Sequence, residues 1–88
     1  MKIKGEYILR DIAGEIVAVP VGETVLNSNI LAVLNGSGRF LWELLSEGHT
    51  EEEIVSAMCD EYEADADTVK KDLYEFIDYL KKNKVEVE

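Results

Sequence analysis

The sequence predicts an α+β domain in which a small antiparallel sheet precedes three helices. Two short β-prone runs flank a glycine turn near the N-terminus, and a third apolar run follows at 29–34. Beyond that run, apolar residues recur at helical spacing, and a capping residue precedes each helical stretch. Strands and helices are therefore segregated along the chain, which is the pattern of the α+β class.

A β-hairpin is predicted over residues 6–21. The runs 7–9 and 16–19 are rich in β-prone residues, and Gly14 between them supplies the positive φ of a tight turn. Pro20 has no amide hydrogen to donate to a ladder. We therefore expect the second strand to end there or to lie at an edge of the sheet.

The third strand is predicted over Asn29–Leu34, after a polar connection at Gly22–Ser28. Every position from 30 to 34 is apolar, so both faces of this strand are apolar. A strand with only one buried face would alternate apolar with polar residues. Something must therefore cover the second face, either a helix of this chain or a bound peptide.

Three helices are predicted after the third strand. Asn35 is the expected cap of the first, Thr50 with Glu53 forms a capping box for the second, and Asp65 is the expected cap of the third. The apolar stripes that we expect to be buried are Leu41, Leu44 and Leu45, then Ile54, Ala57, Met58 and Tyr62, then Val69, Leu73, Phe76, Ile77 and Leu80.

The end of the chain allows one further element, because Val85 and Val87 alternate with polar residues and could form a short terminal strand. Three helices with a small sheet on one side are also the parts of a winged-helix domain. The predicted fold is therefore α+β and winged-helix-like, with a three-stranded N-terminal antiparallel sheet followed by three helices.

Length and charge limit the possible functions. Eighty-eight residues form one small domain, and with 47% apolar residues it should be globular. The net charge is −10, of which −9 lies in residues 47–88, and a field of that sign repels nucleic acid. Since no apolar run approaches the length of a membrane span and no charged leader precedes one, we expect a soluble cytoplasmic protein.

Catalytic and metal-binding patterns are weak in this sequence. His49 lies in a predicted loop, and Cys59 lies beside an apolar helical stripe, where a thiol usually acts as a small hydrophobic group. Gly36-Ser37-Gly38 lacks the lysine and the length of a phosphate-binding loop. Glu51-Glu52-Glu53 lacks the alternating ligands of a calcium loop. We expect no enzymatic activity, no cofactor and no metal site.

The third strand is the candidate binding feature. An open strand edge presents unpaired N–H and C=O groups, and strand addition is a general mode of peptide binding. The run at 29–34 carries neither a charge nor a proline that would protect such an edge. These residues alone leave open the alternative that all apolar side chains of the third strand belong to the core.

Several segments of the chain resemble the PqqD family. They are Leu9-Arg10-Asp11-Ile12-Ala13-Gly14-Glu15, Leu34-Asn35 with Gly38 before Leu41-Trp42-Glu43-Leu44-Leu45, Thr50-Glu51-Glu52-Glu53-Ile54, Glu61-Tyr62, and Asp65 ahead of a last amphipathic helix. The resemblance covers nearly the whole chain. It departs from the family at Gly36-Ser37-Gly38, where Glu-Thr-Gly is common, and at Ala66, where proline is frequent.

The resemblance implies a non-catalytic RiPP recognition element, a domain that binds the leader of a ribosomally made precursor peptide. The leader would add as a strand to the third strand and lie in a groove beside the third helix. A free chain would present it in trans to a modifying enzyme, often a radical SAM enzyme. The peptide-binding residues implied by position are Asn29, Ile30, Leu31, Ala32, Val33, Leu34, Val69, Lys70, Asp72, Leu73 and Phe76.

Two alternative functions remain. The chain could be a structural subunit or homodimer that pairs through the open strand edge. It could also be a DNA-binding winged helix, but that needs a continuous basic face on the last helix. Asp72, Glu75 and Asp78 interrupt the lysines of that helix, which disfavours DNA binding.

Overall fold

The computed structural model describes residues 1–27 and 32–88 of the chain. Its elements in chain order are β1 (Tyr7–Ile12), β2 (Glu15–Pro20), α1 (Thr24–Asn27), β3 (Ala32–Leu34), α2 (Gly36–Glu47), α3 (Glu51–Tyr62) and α4 (Ala66–Lys82). The three strands form one antiparallel sheet of order β1-β2-β3. This confirms the predicted α+β fold, with the three main helices following the sheet.

The N-terminal hairpin has a two-residue loop between β1 and β2. Ala13 and Gly14 both have positive φ, at 53° and 85°, as a type I′ turn requires. The Asp11 carboxylate accepts a hydrogen bond from the Gly14 amide at 3.1 Å and holds the turn closed. As predicted, β2 ends at Pro20, although it is the central strand of the sheet.

The segment before β3 differs from the prediction. Gly22–Ser28 was expected to be a polar connection, but Thr24–Asn27 forms a single helical turn there. The turn starts with hydrogen bonds from the Thr24 amide to Val21 and from the Val25 amide to Gly22. Residues 29–31 of the predicted third strand lie outside the described residues, and the described strand covers Ala32–Leu34.

Each of the three main helices begins at the predicted cap. The Asn35 side chain accepts a hydrogen bond from the Gly38 amide at 2.8 Å, and the Asp65 carboxylate accepts one from the Thr68 amide at 2.8 Å. Thr50 and Glu53 form both bonds of the predicted capping box. These caps satisfy amides that lack partners inside their helices.

The core lies between the inner face of the sheet and the helices. Ala18, Ala32 and Leu34 are buried on that face. The buried helical residues are Leu41, Trp42 and Leu45 of α2, Ile54, Val55 and Met58 of α3, and Val69, Leu73 and Leu80 of α4. Among the predicted stripe residues, Leu44, Ala57, Phe76 and Ile77 are partly buried and Tyr62 is exposed, since they lie at the margins of these stripes.

The two ends of the chain meet beside the core. Ile3 and Val87 form an isolated antiparallel bridge, flanked by reciprocal hydrogen bonds between Lys2 and Glu88 of 3.0 and 2.7 Å. The short terminal strand suggested by the sequence is thus a single bridge separate from the main sheet. In the described part of the chain, no helix is long and apolar enough to cross a membrane.

Candidate functional site

A groove lies between the β3 edge, the start of α2 and one face of α4. Its volume is about 560 Å³, which lies within the range of about 300–1,000 Å³ typical of ligand pockets. The residues that line it are Val33, Leu34, Asn35, Ser37, Gly38, Leu41, Asp72, Glu75, Phe76 and Tyr79. The groove therefore runs along the edge of β3 that faces away from β2.

The edge of β3 is open to other backbone because, among the described strands, β3 pairs with β2 alone. In an antiparallel pair, successive residues point their N–H and C=O groups alternately toward and away from the partner strand. The N–H and C=O of Val33 both meet the hydroxyl of Tyr79 on α4. Val33 thus presents its backbone groups to the groove, and Ala32 and Leu34 point theirs toward β2.

The side chains of β3 divide between the two faces of the sheet. Ala32 and Leu34 are 1% and 4% exposed and belong to the core. Val33 pairs with Val17 on the opposite face and is 45% exposed. The second apolar face predicted for this strand is therefore only partly covered in the described part of the chain.

Phe76 of α4 and Gly38 of α2 approach each other closely within the groove. A Cβ atom on Gly38 would lie 3.2 Å from Phe76 Cε1 and 3.0 Å from Asn35 Oδ1. The Phe76 and Tyr79 rings lie next to each other, with centroids 6.3 Å apart. The absence of a side chain at Gly38 thus leaves room for an aromatic surface on the α4 side of the groove.

The charge of the groove is negative. Asp72 and Glu75 lie on its α4 side, and none of the ten lining residues in the described part of the chain is basic. The hydroxyl of Ser37 donates to the Asn35 side chain at 3.2 Å, within the N-terminal turn of α2. The site therefore combines a strand edge, aromatic and aliphatic side chains and an acidic rim, which suits an extended peptide that carries apolar and basic residues.

Four of the predicted peptide-binding residues line the groove: Val33, Leu34, Asp72 and Phe76. Ala32 is buried beneath the edge. Asn29, Ile30 and Leu31 lie outside the described residues.

Three predicted residues of α4 do not line the groove. Val69 and Leu73 are 2% and 0% exposed and pack in the core. Lys70 is exposed but is not part of the groove wall. The groove-lining face of α4 therefore runs from Asp72 to Tyr79, and these three residues lie outside it.

The prediction missed Glu75 and Tyr79 on α4, as well as the α2 side of the groove. A signal for the α4 residues exists in the sequence, because positions 72, 75, 76 and 79 follow the i, i+3, i+4, i+7 spacing of one helix face. That face lies beside the buried one formed by Val69, Leu73 and Leu80.

The two residues considered for catalysis lie elsewhere. His49 contacts Glu47 and Glu53 near the start of α3, and Cys59 packs partly buried against the core. Gly36-Ser37-Gly38 forms the first turn of α2, as expected for a helix-entry segment. Neither His49 nor Cys59 lines the groove.

Comparison with known proteins shows two similarities. The family model of coenzyme PQQ synthesis protein D (PqqD) matches residues 23–85, which is more than half of the chain. A solved structure of TbiB1 in complex with the TbiA(beta) leader peptide is similar, with a TM-score of 0.72 and 33% sequence identity. That likeness covers 96% of this chain and 92% of TbiB1. No curated protein matches the chain.

Proposed function

Because this chain belongs to the PqqD family, we propose that it binds the leader segment of a ribosomally made precursor peptide and has no catalytic role of its own. The observation that carries the proposal is the β3 edge that no described strand covers, beside a groove that contains Phe76 and Tyr79. The similar protein TbiB1 has been solved in complex with a leader peptide.

The leader would bind as a strand added to β3. Backbone hydrogen bonds to the edge supply affinity in this mode, and alternate side chains of the peptide select for sequence. On one side of the added strand, side chains would enter the groove beside Phe76 and Leu41. On the other side they would lie next to the exposed Val33 on the outer face of the sheet.

The acidic rim, formed by Asp72 and Glu75, determines which charges are favoured in the leader. Asp72 and Glu75 favour a peptide with Lys or Arg next to its apolar anchor residues, and they disfavour an acidic one. Ordering a disordered leader offsets part of the interaction energy, about 2–5 kcal/mol, so the affinity should be moderate.

Leader binding would serve a modifying enzyme, and we propose that this enzyme is a radical SAM enzyme. A leader held on this domain keeps the attached core peptide close to the active site of an associated enzyme. The effective concentration of the core peptide then rises without any new contact to it. A domain with this role needs an edge, a groove and a surface for the enzyme, but no catalytic group.

A backbone NMR titration tests the proposal, with synthetic peptides that match the leaders encoded beside this gene. We expect saturable shifts at the amides of Ala32–Leu34 and on the α4 face from Asp72 to Tyr79. A scrambled peptide of the same composition serves as the control. If no encoded leader causes shifts and the protein forms a concentration-dependent dimer, the edge serves self-association and the proposal is wrong.

A further inference from the structure

The Tyr79 hydroxyl occupies the edge of β3 that no described strand covers. It donates a hydrogen bond to the Val33 carbonyl oxygen at 2.8 Å and accepts one from the Val33 amide at 3.1 Å. A phenolic hydroxyl has one donor hydrogen and also accepts, so a single group satisfies both backbone groups at once. The contact joins two residues 46 positions apart, α4 to the edge of the sheet.

These two backbone groups are the ones that an added strand needs. Among the described residues of β3, only Val33 directs its N–H and C=O away from β2. A strand added in either direction, parallel or antiparallel, bonds to both groups of such a residue. Its backbone would lie about 4.7–4.9 Å from β3, with its polar atoms in the position that the Tyr79 oxygen now holds.

We propose that Tyr79 is an intramolecular competitor of the leader: its hydroxyl pairs with the Val33 edge in the free protein and must be displaced when a peptide strand adds there. This inference rests on the proposed function. Tyr79 then lowers leader affinity because its hydrogen bonds to Val33 stabilise the peptide-free protein. The hydroxyl itself forms no bond to the peptide.

The position of Tyr79 makes displacement feasible. Its residue exposure is 36%, so the hydroxyl can exchange its bonds to Val33 for bonds to water when the ring moves. The neighbouring Phe76 ring is half-buried and anchored against Gly38, and it stays as the fixed wall of the groove. The pairing also satisfies an edge that would otherwise be a template for a second copy of the chain.

Replacing Tyr79 by Phe removes the hydroxyl and keeps the ring. If the hydroxyl competes with the leader, the Tyr79→Phe variant binds the leader about 2- to 10-fold more tightly than the wild type does, which corresponds to the net contribution of one or two exposed hydrogen bonds. Tyr74→Phe is the matched control, because Tyr74 is a 50% exposed tyrosine of α4 that does not line the groove.

Two measurements on the full chain test the inference. Hydrogen exchange of the Val33 amide in the peptide-free protein reports the Tyr79 contact directly, and we expect about 5- to 10-fold faster exchange in Tyr79→Phe but not in Tyr74→Phe. Calorimetry with a synthetic leader peptide then gives the affinity of each variant.

The outcomes separate this inference from the function on which it rests. Faster Val33 exchange together with tighter leader binding in Tyr79→Phe supports competition. Unchanged or weaker leader binding in that variant overturns it while leader binding by the wild type stands. If neither the wild type nor the variant binds any encoded leader, the proposed function fails and competition fails with it, whatever the exchange rate of Val33.

Discussion

Gly38 lies against the edge of the Phe76 ring, so closely that a Cβ atom at position 38 would stand 3.2 Å from Phe76 Cε1. The Gly38 amide donates a hydrogen bond to the side chain of Asn35, the cap of α2, at 2.8 Å. The cap therefore fixes the first turn of α2, and the missing side chain lets α4 place an aromatic ring over that turn. The width of the groove depends on both residues.

A Gly38→Ala substitution should therefore narrow the groove and weaken leader binding. Alanine normally stabilises a helix by about 0.5–1 kcal/mol relative to glycine. Here the added methyl group meets Phe76 at 3.2 Å and Asn35 Oδ1 at 3.0 Å, so we expect a net loss of unfolding free energy of about 1 kcal/mol. Urea unfolding and leader calorimetry measure the two effects.

Gly36→Ala is the control for this substitution. A Cβ atom at Gly36 has no described neighbour within 4 Å, although the residue lies in the same helical turn. We expect Gly36→Ala to leave stability unchanged or slightly raised and leader affinity unchanged. Equal effects of the two alanines would show that the helix start, and not the approach to Phe76, determines both properties.

Removing the edge donor of β3 should weaken leader binding more than removing its side chain. Proline at position 33 lacks the N–H that faces the groove, and proline is tolerated on edge strands where that group does not bond to the sheet. We expect Val33→Pro to lower leader affinity by about tenfold or more, since one backbone bond is lost and the ring obstructs the edge.

Val33→Ala separates the backbone from the side chain at this position. It keeps the amide and removes only a half-exposed isopropyl group, so leader affinity should fall by less than in Val33→Pro. Calorimetry with one leader peptide compares the two variants, and circular dichroism confirms that each is folded. Similar losses in both would mean that the side chain of Val33, and not its edge donor, carries the binding.

Helix starts and the hairpin were predictable because their signals are local. The Asn35 cap, the Thr50–Glu53 box and the turn at Gly14 each depend on residues within three positions of one another, and each forms as the sequence indicates. The helical turn at Thr24–Asn27 carries no such signal, since its four residues are too few to show a helical apolar repeat and its first turn contains no acidic residue.

The groove face of α4 was harder to predict because it depends on how that helix rotates against the sheet. Val69 and Leu73 have the apolar character expected of a peptide-binding wall, but both are buried in the core. The neighbouring face of α4, which carries Glu75 and Tyr79, lines the groove instead. Tyr79 meets Val33 only through tertiary packing, which no spacing along the chain reveals.

The acidic side of the groove should make leader binding depend on salt. We expect Asp72→Asn combined with Glu75→Gln to lower the affinity for a Lys- or Arg-containing leader at low ionic strength, and to reduce the decline in affinity as salt is raised. Glu52→Gln removes a carboxylate from α3 outside the groove and should change neither property much. The same salt slope in all variants would mean that the net charge of −10, rather than the two groove carboxylates, acts on the leader.

The cap of α4 should make folding stability depend on pH in the acidic range. Hydrogen bonding to the Thr68 amide lowers the pKa of the Asp65 carboxyl below its usual value of 3.8. Because the folded protein then binds a proton less readily than the unfolded chain does, the stabilisation is complete above that usual value. It is lost as the pH falls through the lowered pKa.

Asp65→Asn keeps a side-chain oxygen at the cap but does not titrate, so the unfolding free energy of this variant should decline less steeply with acid than that of the wild type. Urea unfolding in steps from pH 6 to about pH 2.5 measures both curves. Parallel curves would mean that carboxyl groups other than Asp65 govern acid unfolding.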